Sequence, residues 1–272
     1  MASKLEDILV VCSVDDALCA SDFHIPACNL ATVKLYESMG GNFTVATGRT
    51  VESLQNIIAD LRLNCPAITC GGEVLYNVEN KQHLNKTFLQ YEKTSAFVQA
   101  VLEKFPDMGI EIYVHAGEIH QVQSNRYTQK HLLKERIGCI ISPLEAIPHN
   151  WVKVVFAADP VSISKLKQFF KGEEIPGLYL KDIGIGYCEI AATATPMSDA
   201  MQALCEYKGI PIENTVFIGG SKNDIELMHS AGFAVAVQNA PNEVKLSADE
   251  IVLSCEHGGV GEYLYSLIKR YT

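Results

Sequence analysis

The residues best able to do chemistry lie where an apolar run stops. Leu9-Val10-Val11-Cys12-Ser13-Val14 is followed at once by Asp15-Asp16-Ala17-Leu18, so a buried strand delivers a hydroxyl and two carboxylates to its carboxyl end. Carboxylates there can act as general acids or bases. The Ser13 hydroxyl needs a neighbouring base to become nucleophilic, and it is a poorer ligand than a carboxylate for a hard cation. A second strand end, Phe43-Thr44-Val45-Ala46-Thr47-Gly48-Arg49, offers the Thr47 hydroxyl and the Gly48 backbone ahead of a helix start, a place that favours an anion. A third, Phe217-Ile218-Gly219-Gly220-Ser221-Lys222-Asn223-Asp224, brings an amide and a carboxylate to the start of another helix, where Asn and Asp also serve as caps. Arg49 reads as an exposed cation or an ion-pair partner.

The elements around these residues alternate. A strand ending near Ser13, a helix over 29–39 stopped by Gly40-Gly41, a strand over 43–46, a helix over 51–61 and a strand over 66–70 closed by Gly71-Gly72 predict a parallel sheet with right-handed crossovers. From about Asn77 a polar link leads to a different pattern: helices over 94–104, 129–136 and 162–170, and strand-like runs over 109–114, 119–122, 151–157, 178–181 and 186–190. Helices packed on an antiparallel sheet suit that middle region. From Asp199 the first rhythm returns, with a helix over 200–208, a strand over 215–218, a helix over 224–231 and a strand over 233–237. The expected layout is an interrupted α/β core, residues 1–78 and 190–272, around an α+β insert, residues 79–189.

With 272 residues, 48% hydrophobic and 20% charged, the chain has the length and composition of an ordinary globular protein with a substantial core. Its net charge of −10 argues against a nucleic-acid partner, because binding a phosphate backbone needs a basic surface. No stretch approaches the ~20 apolar residues that span a bilayer, and the apolar run near the N-terminus is short and followed directly by acids. These features predict a cytoplasmic protein without a membrane partner. The nine cysteines are odd in number and lack a Cys-x-x-Cys pair, as expected of reduced core thiols. The eight histidines form no metal-spaced cluster, and His115 and His120 read as surface or packing residues.

In order and spacing these motifs resemble those of the haloacid dehalogenase-like (HAD) hydrolases, in particular the Cof-type subfamily with a type IIB cap. The 9–18 run resembles their first motif, an apolar strand followed by Asp-x-Asp-Gly-Thr-Leu. The 43–49 run resembles the second, in which a Thr hydroxyl and the next backbone N–H hold the phosphoryl group. The 217–228 run resembles the fourth, Gly-Asp-x-x-Asn-Asp-Ile-x-Met, and Ala236-Val237-Gln238-Asn239-Ala240 with Gly258-Gly259-Val260 resembles the tail. The resemblance implies a HAD-like Rossmannoid core with an inserted cap, a phosphatase that forms an aspartyl phosphate, and a magnesium ion as cofactor.

The departures fall on the catalytic positions. Matching Leu18 to the family places Ser13 at the nucleophile position and Asp15 at the acid/base position. The alternative register makes Asp15 the nucleophile and leaves Ala17 in the acid/base place. We favour the first register, because Gly220 also replaces the metal-binding Asp of the fourth motif and Met197 stands where the family carries a Lys. What remains for a metal is Asp224, Asn223 and the carbonyl of Asp15; Thr47 and Gly48 remain for phosphate. The resemblance, so qualified, implies a pseudophosphatase with weak or absent magnesium that binds a small phosphorylated metabolite or a protein. The alternative is an atypical active hydrolase of sugar phosphates or similar metabolites. Three losses acting as one unit also predict that Ser13→Asp alone restores little and that all three replacements together are needed.

Overall fold

A computed structural model of the chain describes residues 4–20, 22–115, 117–194 and 196–271. Along the chain the elements are β1 (Leu9–Ser13), α1 (Ala27–Ser38), β2 (Asn42–Ala46), α2 (Val51–Ile57), β3 (Ala67–Thr69), β4 (Val74–Asn77), β5 (Gln82–Lys86), α3 (Tyr91–Lys104), β6 (Gly109–Val114), β7 (Ile119–Gln123), α4 (Arg126–Glu135), β8 (Ile140–Ile141), β9 (Trp151–Ala157) and α5 (Pro160–Glu173). They continue as β10 (Tyr179–Gly184), β11 (Tyr187–Ala191), α6 (Pro196–Lys208), β12 (Thr215–Gly219), α7 (Ile225–Ser230), β13 (Phe233–Val237), α8 (Asn242–Leu246), β14 (Glu250–Val252) and α9 (Gly259–Tyr271). The chain divides into two compact units. One comprises Met1–Arg49, Leu54–Asn85 and Met197–Thr272, the other Thr50–Ser53 and Lys86–Pro196.

The first unit is built on an eight-stranded sheet in the order β14-β13-β12-β1-β2-β3-β4-β5. β1 lies inside it, parallel to β2 on one side and β12 on the other. All five of its residues are buried, which is why it reads as an unbroken apolar run rather than an alternating one. Parallel neighbours bring the carboxyl ends of β1, β2 and β12 to one edge of the sheet. Strand order reverses there about β1, the place where open α/β sheets leave a crevice. α1 and α9 pack together on the sheet. The buried Asn29 side chain joins them, accepting from Gly261 N at 2.8 Å and donating to Leu18 O at 3.4 Å.

The polar link expected from Asn77 is instead the turn between β4 and β5, which extend the first sheet. β5 is Gln-His-Leu-Asn-Lys and none of its residues is fully buried, so this edge strand carries no apolar signal. α2 stops at Ile57, short of the expected Leu61, and Cys70–Gly72 forms a 3-10 turn in which Cys70, Gly71 and Gly72 all have positive φ.

The second unit carries a six-stranded sheet, β10-β11-β9-β6-β7-β8. Its strands pair antiparallel except β7 with β8, which run parallel. One face, with Ile110, Ile112, Val154, Phe156 and Ile190, packs with Phe97 and Val101 of α3 and Leu166 of α5. The opposite face is polar within the interior: Lys153 Nζ meets Glu189 Oε2 at 3.1 Å, and His131 of α4 meets Glu111 Oε2 at 2.6 Å. His120 is buried and bonded to Ser142 Oγ at 2.9 Å, a packing residue.

Candidate active site

The carboxyl end of β1 is shaped by a tight loop. Val14 N donates to Ala46 O (3.2 Å), Leu18 N to Ser13 O (3.0 Å) and Cys19 N to Val14 O (2.9 Å), so the chain wraps over its own strand end. Asp16 takes the left-handed conformation (φ 65°), a position where glycine is usual and Asp is tolerated. Its carbonyl accepts from Asn239 Nδ2 at 2.9 Å. Asn239 also accepts from Cys255 N at 2.8 Å, tying the loop to the segment after β13.

Within this loop Ser13 is 6% exposed, and its hydroxyl lies beside Asp224, where it favours the ionised carboxylate. Asp224 is 3% exposed. Its carboxylate does not cap α7. Instead Oδ2 turns back to accept from Gly220 N at 2.8 Å and Ser221 N at 2.7 Å. The cap expected of Asn223-Asp224 is therefore made by Asp224 one turn earlier, in a capping box with Ser221 on the 3-10 turn Lys222–Asp224 that leads into α7. Burial raises the Asp224 carboxyl to about 6, against the lowering effect of the two amides and the serine hydroxyls. Asn223 is exposed.

The expectation of an exposed Arg49 fails, while the ion-pair alternative holds. Arg49 is 2% exposed and binds Asp15 through both carboxylate oxygens, Nε to Oδ2 at 3.0 Å and Nη2 to Oδ1 at 2.7 Å. The Phe23 ring lies against the guanidinium, 4.6 Å from Cζ to centroid. Thr47 is buried. Its N–H is spent on Ile68 O (2.9 Å), and its hydroxyl accepts from Arg49 N at 3.1 Å. Gly48 is exposed and faces open space. Met197, at the start of α6, is half-buried and packs on the core, so no ammonium enters from that position.

At Gly220 the structure shows a steric fact that the sequence hid. A Cβ built there lies 2.4 Å from Asp16 O and 2.6 Å from Asp16 C, so the loop after β1 has closed onto the position where the family carries a carboxylate. Asp15, Asp16, Ser13, Thr47, Arg49, Gly220 and Asp224 therefore do converge. Arg49, Phe23 and Asn239 were missed as site residues. The signal for Arg49 was its place directly after Thr47-Gly48, whereas Phe23 sits in a stretch without periodicity.

A magnesium ion finds a poor donor set here: Oδ2 of Asp224 already accepts two backbone amides, Asn223 is exposed, and position 220 has no room for a carboxylate while the loop stands as it does, which leaves little beside the Asp15 carbonyl. Among the described residues no group of three or more His, Cys, Asp or Glu side chains is arranged to hold a metal. The arrangement keeps a hydroxyl beside a buried carboxyl and a carboxylate neutralised by a guanidinium.

Comparison with known proteins places this geometry. The chain is 22% identical to the phosphatase YwpJ of Bacillus subtilis, with 96% of this chain and 99% of that protein aligned. It is 23% identical to the pyridoxal phosphate phosphatase YbhA of Escherichia coli, over 84% of this chain and 86% of that one. A haloacid dehalogenase-like hydrolase from Bacteroides thetaiotaomicron superposes with a TM-score of 0.86 at 21% identity, covering 96% and 99% of the two chains. The family model for haloacid dehalogenase-like hydrolases matches residues 10–264, nearly the whole chain, and the protein belongs to that family.

Proposed function

We propose that this chain is a phosphatase-family protein that has lost normal turnover and keeps its cleft to bind a small phosphorylated molecule or a protein. The observation that carries the reading is the pair of hydrogen bonds from buried Arg49 to the Asp15 carboxylate beside a hydroxyl, not a carboxylate, at the end of β1. Phosphomonoester hydrolysis needs accelerations of up to ~10²¹. A chain whose acid/base carboxylate is already paired, and whose donors do not suit magnesium, lacks the charge neutralisation that such a reaction demands. The phosphatase names of the relatives support the class of ligand, and the net charge of −10 supports a partner other than nucleic acid. No helix among the described residues is long and apolar enough to cross a membrane, which supports a site of action in the cytoplasm.

Assay of the purified chain on a panel of sugar phosphates with magnesium is the test, and little turnover is expected. Robust turnover abolished by Asp15→Asn and untouched by Ser13→Ala would overturn the proposal and make Asp15 the nucleophile.

A second reading rests on the Ser13 hydroxyl lying beside the buried Asp224 carboxyl. A carboxyl that titrates near 6 is ionised at neutral pH and can accept the Ser13 proton as the hydroxyl oxygen attacks phosphorus, while the bond to the leaving oxygen breaks and that oxygen takes a proton from water to depart as the alcohol. The proton then resides on Asp224. Turnover abolished by Ser13→Ala would select this reading.

A further inference from the structure

We infer that the inserted unit carries a second binding site, a cleft of about 500 Å³ at one end of its sheet that takes a small aromatic anion. The cleft lies where β6 begins, β9 ends, and α4 and α5 start. β11 runs away from it toward Ala191, the end from which the chain leaves the unit. Its volume falls in the range of sites for organic ligands, ~300–1,000 Å³, and is many times the ~30 Å³ share of a water molecule. A bare inorganic ion would leave most of it unfilled.

Two features give the ligand its class. The floor is apolar, with Met108 buried and Phe105 and Tyr127 half-buried. The rim is cationic, with Lys104, Arg126 and Lys165 all exposed. Two of these charges are braced on rings: Lys104 Nζ lies 4.1 Å from the Phe169 centroid and Arg126 Cζ 4.8 Å from that of Tyr127. Of the two acids on the walls, Asp159 is spent on α5, its carboxylate accepting from Val161 N, Ser162 N and Ser162 Oγ. Asp107 remains. Three cations around one concavity, in a chain of net charge −10, focus a positive potential there. A ring on the floor with a carboxylate or a phosphorus oxyanion at the rim uses both features at once.

The walls are already set. Asn125 clamps them, Nδ2 donating to Ala157 O at 2.7 Å and Asp107 O at 2.9 Å, and Oδ1 accepting from Tyr127 N at 2.8 Å and Thr128 N at 3.0 Å. A Cβ at Gly109 would lie 2.4 Å from Thr128 Cγ2, so α4 rests directly on the first residue of β6. Gly186, at φ 88°, would place one 2.7 Å from Ala158 O. Because Asn125 and Asp159 already occupy first-turn amides of α4 and α5, recognition falls to the side-chain cations. A preformed cleft also loses little freedom on binding.

The experiment is calorimetry on the full-length chain with phenylphosphonate, phthalate and inorganic phosphate. Phenylphosphonate has no ester bond to cleave. At least one of the two aromatic anions should bind saturably, and which one does separates a phosphorus ligand from a carboxylate one. Inorganic phosphate should not displace it. Lys104→Glu with Lys165→Glu should weaken binding about tenfold or more, since like charge opposes association, whereas Thr47→Val should leave it unchanged. Should the Glu pair not fold, Lys104→Met with Lys165→Met removes the same charges, keeps apolar stems in place and should weaken binding in the same direction.

No saturable heat with either aromatic anion, displacement by inorganic phosphate, or unchanged affinity in the charge variants would overturn the inference. So would loss of binding in Thr47→Val, which would put the anion at the end of β2. Asp15, Thr47 and Asp224 belong to the other unit. Failure here therefore leaves the proposed function standing, and turnover by the unmodified chain leaves this site standing.

Discussion

At the level of single residues, Asp224 serves the turn that follows β12. Its carboxylate now satisfies two amides of the turn after β12 and meets Ser13, work that a metal ligand would share with the ion. Burial raises its carboxyl from 3.8 to about 6, so between those values the folded chain holds a proton that the unfolded chain has released. Stability from this group is therefore complete below the unfolded value and is lost as pH rises through the folded one. The size of the effect is on the order of 3 kcal/mol. Asp224→Asn keeps an acceptor for the amides and removes the titration. Denaturant midpoints measured from pH ~4 to ~7 should then fall with pH more steeply in the unmodified chain than in the variant, and equal slopes would refute this assignment.

At the level of elements, the junction of α1 and α9 depends on one buried amide. Asn29 accepts from Gly261 N and donates to Leu18 O, so it couples the first turn of α9 to the loop that follows β1. Asn29→Ala leaves that N–H without its partner and should cost ~1–3 kcal/mol, read as a lowered denaturant midpoint. A loss within the error of the measurement would show that another group satisfies Gly261. Elements such as β9 and β13 were legible to the residue, since Trp151–Ala157 and Phe233–Val237 are apolar runs bounded by turns. β5 was not legible, because an edge strand of Gln, His and Asn buries too little to leave a period. Within the site, Ser13, Thr47, Gly48, Asp15 and Asp224 could be found from motif order alone. The Arg49–Asp15 bond could not, because it joins residues 34 apart through a side-chain rotamer that no spacing encodes. The closure of Asp16 onto Gly220 was equally hidden, since a close backbone approach between two loops leaves only the absence of a Cβ as its mark.

At the level of the whole molecule, that closure stands in the way of restoring the family's residues at the three substituted positions. The sequence suggests that Ser13→Asp, Met197→Lys and Gly220→Asp together restore a phosphatase, because the three positions act as one unit. The fold brings Ser13 and Gly220 to the ends of β1 and β12, but it has also let the intervening loop settle into the space that an aspartate at 220 needs, with Asp16 O 2.4 Å from the required Cβ. Backbone cannot yield as a flexible side chain does, so the triple variant should lose ~1–3 kcal/mol to overpacking and show little turnover on sugar phosphates with magnesium. Adding Asp16→Gly removes the side chain held at φ 65° and gives the loop the freedom to withdraw. Turnover is expected to appear only in that quadruple variant. If the triple variant regains turnover with its melting temperature intact, the loop is not the obstacle, and what separates this chain from an active relative lies in the substituted side chains alone.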